Sequence, residues 1–141
     1  TEIHVFVMAH ILRRAIIVYC QPYAVDSMGK PFTPVHFGGV YLPLLWGAQR
    51  LVSRTPVLLS YHDAHFTALL PVAGDAQESM YTPLATKKGK AFPVHYLQRA
   101  RFQPGSPAWT QLLSEWMDLG QEQGMPCVGA HMYMDHKADC V

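Results

Sequence analysis

Two histidines, His62 and His65, flank Asp63 and Ala64 between two apolar runs. The first run is Pro56-Val57-Leu58-Leu59-Ser60-Tyr61, and the second begins at Phe66 and ends near Pro71. Imidazole is the side chain that exchanges protons near neutral pH. A short bend between two strands holds such a ring rigidly and leaves it reachable, which suits a general base. His65 is the leading catalytic candidate. Residues i and i+2 of a strand share a face, so Thr67 points with His65 and is placed to touch its ring. Orienting a base through its second nitrogen is the third role of a triad. Threonine fills it weakly, because it lacks the charge that steadies an imidazolium. The same pattern also fits a structural histidine, hydrogen-bonded and partly buried.

A histidine base serves a nucleophile, and none is convincing upstream. Cys20 closes an apolar strand and is followed by Gln21-Pro22, not by a helix N-terminus that would lower its thiol pKa. It reads as a buried structural cysteine. The residues therefore suggest half of an active site. His62, Asp63 and His65 are also zinc-type ligands, yet neighbouring strand residues face opposite ways, and only a tight bend would bring Asp63 in. A second set, Cys127, His131, His136 and Cys140, has the spacing C-x3-H-x4-H-x3-C. It lacks the usual finger layout and reads as a strand followed by a terminus, so no metal site is expected. Trp109 and Trp116 are core positions on one helix. Trp46 is the tryptophan best suited to an exposed loop.

These side chains need elements to hold them. Residues 3–14 carry apolar residues at helical spacing and nearly all round, predicting a buried helix, although Ile3, Val5 and Val7 would also suit a strand. Arg13 and Arg14 sit in its last turn, where they complement the helix dipole. The β-branched run 15–20 predicts a buried strand, and 21–38, with three prolines, a long surface excursion. Residues 39–44 predict a strand that Pro43 confines to an edge or an end. A short turn or helix at 47–54, a loop at 74–78, a hairpin-like turn at 87–90 and a strand at 92–97 follow. Ser106-Pro107 opens the clearest helix, with Trp109, Leu112, Leu113, Trp116 and Met117 as its stripe and Gly120 or Gly124 ending it. A last strand is expected at 127–134. The elements predict one α+β domain with a largely antiparallel or mixed sheet flanked by helices.

The 141 residues are half hydrophobic and carry a formal charge of +1, enough for one domain with a real core. Lysine and arginine are scattered, and Lys87-Lys88-Gly89-Lys90 reads as a solvated turn, so no nucleic-acid partner is expected. No apolar stretch reaches the roughly 20 residues that span a bilayer, and no membrane partner is expected. Arg13 and Arg14 follow the first apolar run, whereas a signal peptide has its charge before it. Three cysteines without CxxC spacing fit a reducing compartment. The chain starts at Thr1 and turns apolar almost at once. Native N-termini are usually loosely held, so an incomplete sequence is expected.

Several segments resemble a known family. Residues 2–19 are similar to a helix–strand segment of the OTU deubiquitinases, in their Cezanne and TRABID branch. Gly39-Val40-Tyr41-Leu42-Pro43-Leu44-Leu45-Trp46 resembles another segment of that branch. Residues 56–70, with His65-Phe66-x-x-Leu69, resemble its catalytic-histidine strand pair. Residues 92–97 and 112–118 look most like the TRABID type. The resemblance implies an incomplete papain-like fold over residues 1–130, with 131–141 as an unplaced tail. It implies a cysteine isopeptidase without a cofactor, with ubiquitin and polyubiquitin as partners and His65 as the catalytic histidine. It further implies a preference for atypical linkages, a part in Wnt-type signalling and a cytoplasmic location, with the nucleus as a second compartment. The family's Asp-Gly-Asn-Cys nucleophile motif and its acidic partner lie upstream of the first helix seen here, and neither is present. Ala15 replaces a usual proline, at little cost, since alanine accepts the same backbone angles. The alternatives are a non-catalytic ubiquitin-binding module and a small metal-binding protein.

Overall fold

The computed structural model describes residues 1–70, 80–97 and 101–130. Helix α1, Glu2–Leu12, passes into strand β1, Arg14–Cys20, through Arg13. Arg13 is left-handed (φ 53°, ψ 45°) and its N–H closes onto the carbonyls of Ala9 and His10. Glycine usually takes this cap position. Here the Arg13 guanidinium lies 4.8 Å above the Trp46 ring, which braces the turn.

Strands β2, Tyr23–Val25, and β3, Pro31–Pro34, form a separate hairpin within the expected excursion. Strands β4, Gly39–Tyr41, β5, Ser53–His62, and β6, His65–Ala68, join β1 in a central sheet ordered β4-β1-β5-β6. The β1–β5 pair is parallel and the other two pairs are antiparallel. The sheet is mixed, as expected, and β4 is an edge strand. Ile16, Ile17 and Val18 of β1 are at most 2% exposed. A strand covered on both faces reads as a continuous β-branched run.

Strand β7, Met80–Pro83, helix α2, Pro107–Trp116, and strands β8, Leu119–Glu122, and β9, Met125–Ala130, complete the described chain. The last three strands form a second sheet ordered β7-β9-β8. Apolar cores cover both faces of the central sheet. On one, Val5 and Ala9 of α1 pack with Ile16, Val18 and Tyr41. On the other, Trp109, Leu113, Trp116, Met117 and Val128 pack with Ala15, Ile17, Val40 and Leu42.

Four expectations are corrected. Helix α1 is not wholly buried: Val5 and Ala9 face the sheet, while Ile3, Val7, Met8, Ile11 and Leu12 are 42–66% exposed. A single packed layer covers only one stripe of a helix, whatever the residues on the other stripe are. Residues 92–97 do not form a strand. Pro93 has no N–H to give, Tyr96 has φ 62°, and only Val94 bridges, to Val40. Helix α2 stops at Trp116 rather than at a glycine, because Met117 is extended and Arg54 takes the carbonyls of Ser114, Glu115 and Met117. Gly120 lies inside β8, and Gly124 lies in the β8–β9 turn. The last strand starts at Met125, two residues early. Strands β7 and β8 were not anticipated. The expected loop at 74–78 and residues 131–141 lie outside the described residues.

Ser106 caps α2 as its type predicts: its Oγ accepts from the Trp109 N–H at 3.2 Å, and Pro107 follows. The turn at 87–90 closes through the Thr86 N–H to the Lys90 carbonyl at 2.8 Å.

Candidate active site around His65

Asp63 and Ala64 join β5 to β6, and both are left-handed, with φ 49° and 62°. A two-residue turn of this hand matches the twist of the flanking strands. It therefore fixes the register, whose closing pair is His62 with His65. Directly opposed residues project from the same face. The two imidazoles thus stand side by side, and Thr67 follows opposite Ser60 on the same face. Alternation along β5 from Leu58 puts this face on the α2 side of the sheet.

His65 is exposed, and its ring has no hydrogen-bond or ion-pair partner among the described residues. Thr67 shares its face but makes no hydrogen bond to the ring, so the expected orienting contact does not form. Asp63 Oδ2 lies 3.2 Å from His62 Nδ1, with both side chains mostly exposed. Asp63 thus turns toward His62 and not toward His65. An exposed pair of this kind contributes little stability. Among the described residues, no three His, Cys, Asp or Glu side chains are placed to hold a metal ion. Of the second ligand set, only Cys127 is described.

The opposite face of the hairpin is aromatic. Tyr61 and Phe66 are cross-strand partners with ring centroids 4.8 Å apart. Phe37 packs on both, at 4.5 Å and 5.2 Å. The Phe37 carbonyl accepts from the Tyr41 hydroxyl at 2.8 Å, and the Gly38 carbonyl accepts from His95 Nε2 at 2.9 Å. The rings of Tyr41 and His95 stack at 4.2 Å, 4° from parallel. Burial raises the Tyr41 phenol well above its ordinary value, which keeps it a donor. Burial lowers His95 from its ordinary 6.5, against the opposing effect of the Gly38 carbonyl.

The described thiols are poor nucleophiles. Cys20 is half-buried, and burial raises its pKa despite a backbone hydrogen bond at Gly38. It alternates with Tyr19 onto the α1 face of β1, away from His65. Cys127 is buried in β9 and is also raised, first by burial and then by Glu122.

Sequence reasoning missed His10 and misplaced Trp46. His10 Nδ1 donates to the Phe6 carbonyl at 2.7 Å, and its Nε2 accepts from the Leu45 N–H at 3.1 Å. Trp46 Nε1 donates to the His10 carbonyl at 2.9 Å, so Trp46 is half-buried rather than exposed. Together they latch residues 43–46 onto the end of α1. A histidine in a stretch that is otherwise apolar from Val5 to Leu12 was the available signal.

Comparison with known proteins places this geometry in context. A family model described as OTU-like cysteine protease matches residues 1–66, ending one residue past His65. The chain is 33% identical over 127 residues to ubiquitin thioesterase trabid of Drosophila melanogaster, covering 84% of this chain. It spans 16% of the length of that relative.

Proposed function

Because this chain belongs to the OTU-like cysteine protease family, we propose that it is the histidine-bearing part of an isopeptidase domain that hydrolyses polyubiquitin. The carrying observation is His65: an exposed imidazole without a partner among the described residues, held on a two-residue turn, inside the stretch that matches the family. In this reading its ring takes a proton from a cysteine thiol. The thiolate attacks the isopeptide carbonyl of ubiquitin's own last residue, forming a carbon–sulfur bond and, on collapse, breaking the carbon–nitrogen bond to the lysine. The histidine returns the proton to the departing lysine amine, and a water activated by the same ring then cleaves the thioester. His62 occupies the same hairpin end, but Asp63 engages it, which favours His65 for the role.

Cys20 and Cys127 do not suit the nucleophile, since burial raises both thiols. The family's Asp-Gly-Asn-Cys motif does not occur in the chain, and the thiol is therefore assigned to a part of the parent protein outside these residues. A ubiquitin probe with an electrophilic C-terminus tests this. It should label the longer protein and leave the 141-residue chain unlabelled. Labelling of Cys20, Cys127 or Cys140 would overturn the assignment.

On the resemblance of its segments alone, we further propose a preference for atypical lysine linkages, a part in Wnt-type signalling and action in the cytoplasm and nucleus. The absence of a low-pKa thiol among the described residues also favours a second reading, a non-catalytic ubiquitin-binding module.

A further inference from the structure

We infer that Phe37 is a positioning residue for His65, clamping the β5–β6 hairpin from the face opposite the imidazole. The inference rests on the reading of His65 as the base. It starts from a mechanical difficulty. Strand β6 has four residues, exposed throughout, and among the described residues it lies at the edge and joins the sheet through β5 alone. A two-stranded ribbon with little packed over it is marginal by itself. Yet a general base must hold its nitrogen at a defined point, and a displacement of about 1 Å can cost on the order of 100-fold in rate.

The clamp supplies what β6 lacks. Phe37 lies outside the hairpin, on the link into β4. Its ring meets Phe66 edge-on at 89° and Tyr61 at 39°, with centroids 5.2 Å and 4.5 Å away. Tyr61 and Phe66 form the pair just before the closing pair of His62 and His65. Phe66 directly follows His65 in the chain, so holding its ring on one face sets the direction of the imidazole on the other.

Phe37 is itself fixed. Its carbonyl is held by the Tyr41 hydroxyl and the next carbonyl, of Gly38, by His95 Nε2. Both donors come from stacked rings, and Tyr41 is fully buried. Their rigidity passes through two consecutive peptide groups to Phe37, and from its ring to the hairpin. Tyr41 is thus the anchor and Phe37 the clamp.

The test is a double-mutant cycle in the full-length parent enzyme, read as single-turnover and steady-state cleavage of diubiquitin, with melting temperature recorded for each variant. Phe37→Ala should lower kcat about 100-fold, the size of the displacement effect, and leave KM within about twofold. Phe37→Tyr, which keeps the ring, should restore kcat to within about threefold. In a His65→Ala background, Phe37→Ala should cost nothing further, because the clamp acts through the imidazole. Simple damage to the fold would instead lower the residual rate again. Should Phe37→Ala fail to fold, Tyr41→Phe removes only the anchoring hydroxyl and should lower kcat about tenfold with KM unchanged. A wild-type kcat in Phe37→Ala, or in Tyr41→Phe if that variant stands in, would overturn the clamp while leaving His65 as the base. So would a further tenfold loss in the His65→Ala background. A wild-type rate in His65→Ala would overturn both readings together.

Discussion

The Arg54 guanidinium reaches from β5 to the end of α2 and donates to the Met117 carbonyl at 2.8 Å. It also takes the Ser114 and Glu115 carbonyls, at 2.9 Å and 3.2 Å, and pairs with Asp118 Oδ1 at 2.8 Å. The last carbonyls of a helix have no partner within it, and here one side chain of a neighbouring strand serves two of them and that of the cap residue Met117. Arg54 and Asp118 are each about half exposed, so solvent weakens their mutual attraction. The stabilisation therefore resides in the carbonyl contacts. Arg54→Ala should cost about 1–2 kcal/mol, toward the low end for hydrogen bonds to a charged group. Asp118→Ala should cost under about 0.5 kcal/mol. Lysine should not restore Arg54, because an ammonium lacks the planar fork. Denaturant midpoints of the three variants decide the matter.

Gly39 has φ 134°, and a Cβ there would lie 2.6 Å from the Pro93 carbonyl oxygen and 3.0 Å from His95 Nε2. Both neighbours are fixed: the same Pro93 oxygen accepts from the Val40 N–H. Gly39→Ala combines a strained backbone with a backbone clash, and should cost on the order of 3 kcal/mol or more. Gly29→Ala is the control. Its φ is 78° but nothing lies within 4 Å, so only the left-handed penalty of about 1–2 kcal/mol applies. Equal melting temperatures for the two variants would contradict this account of the β4 edge.

The turn that carries His65 contains a strained alanine. Ala64 has φ 62°, a conformation that glycine adopts without penalty. Ala64→Gly should stabilise the protein by about 1 kcal/mol, the left-handed cost less the greater freedom of glycine in the unfolded chain. A calorimetric melt tests this: the temperature should rise, and a fall would mean that the turn is not left-handed.

His95 makes stability depend on pH in a defined direction. Burial lowers its pKa below 6.5, and His36 adds to the effect, while the Gly38 carbonyl and Glu2 oppose it. The unfolded chain therefore binds more protons than the folded one just below pH 6.5, and stability rises with pH there. The His95 contribution is fully present above 6.5 and is lost as pH falls through the folded pKa. His95→Gln should flatten this part of the stability curve. An unchanged slope between the two proteins would remove His95 from the account.

Much of the central sheet was legible because it is stated locally. The run from Ala15 to Cys20 is apolar and β-branched at its centre, and Ala15 to Val18 are buried on both faces. Ser106-Pro107 fixes the start of α2 through one hydroxyl and one ring. The His62–His65 bend was readable from the two apolar runs around it. What failed depends on partners distant in the chain. The end of α2 is set by Arg54, about sixty residues earlier, and not by a nearby glycine. The single bridge at Val94 depends on Val40. The outer stripe of α1 is as apolar as the inner one, so periodicity could not separate buried from exposed. At the site, the His65 position could be read, but its partners could not. Thr67 shares its face without a contact, while the Phe37 clamp belongs to a segment that looks like plain loop.

The most direct test of the central claim compares His65→Ala with His62→Ala in the full-length parent, by single-turnover cleavage of diubiquitin with folding checked by melting temperature. The two rings share one end of one hairpin and differ in that Asp63 engages only His62. His65→Ala should lose activity by a factor of roughly 1,000 or more, since the thiol then has no base, whereas general base catalysis alone supplies about 100- to 10,000-fold. Ubiquitin binding should persist, and His62→Ala should stay within about tenfold of wild type, about 1.4 kcal/mol in barrier. A His65→Ala enzyme within tenfold of wild type, beside an inactive His62→Ala, would contradict the assignment and move the base to His62.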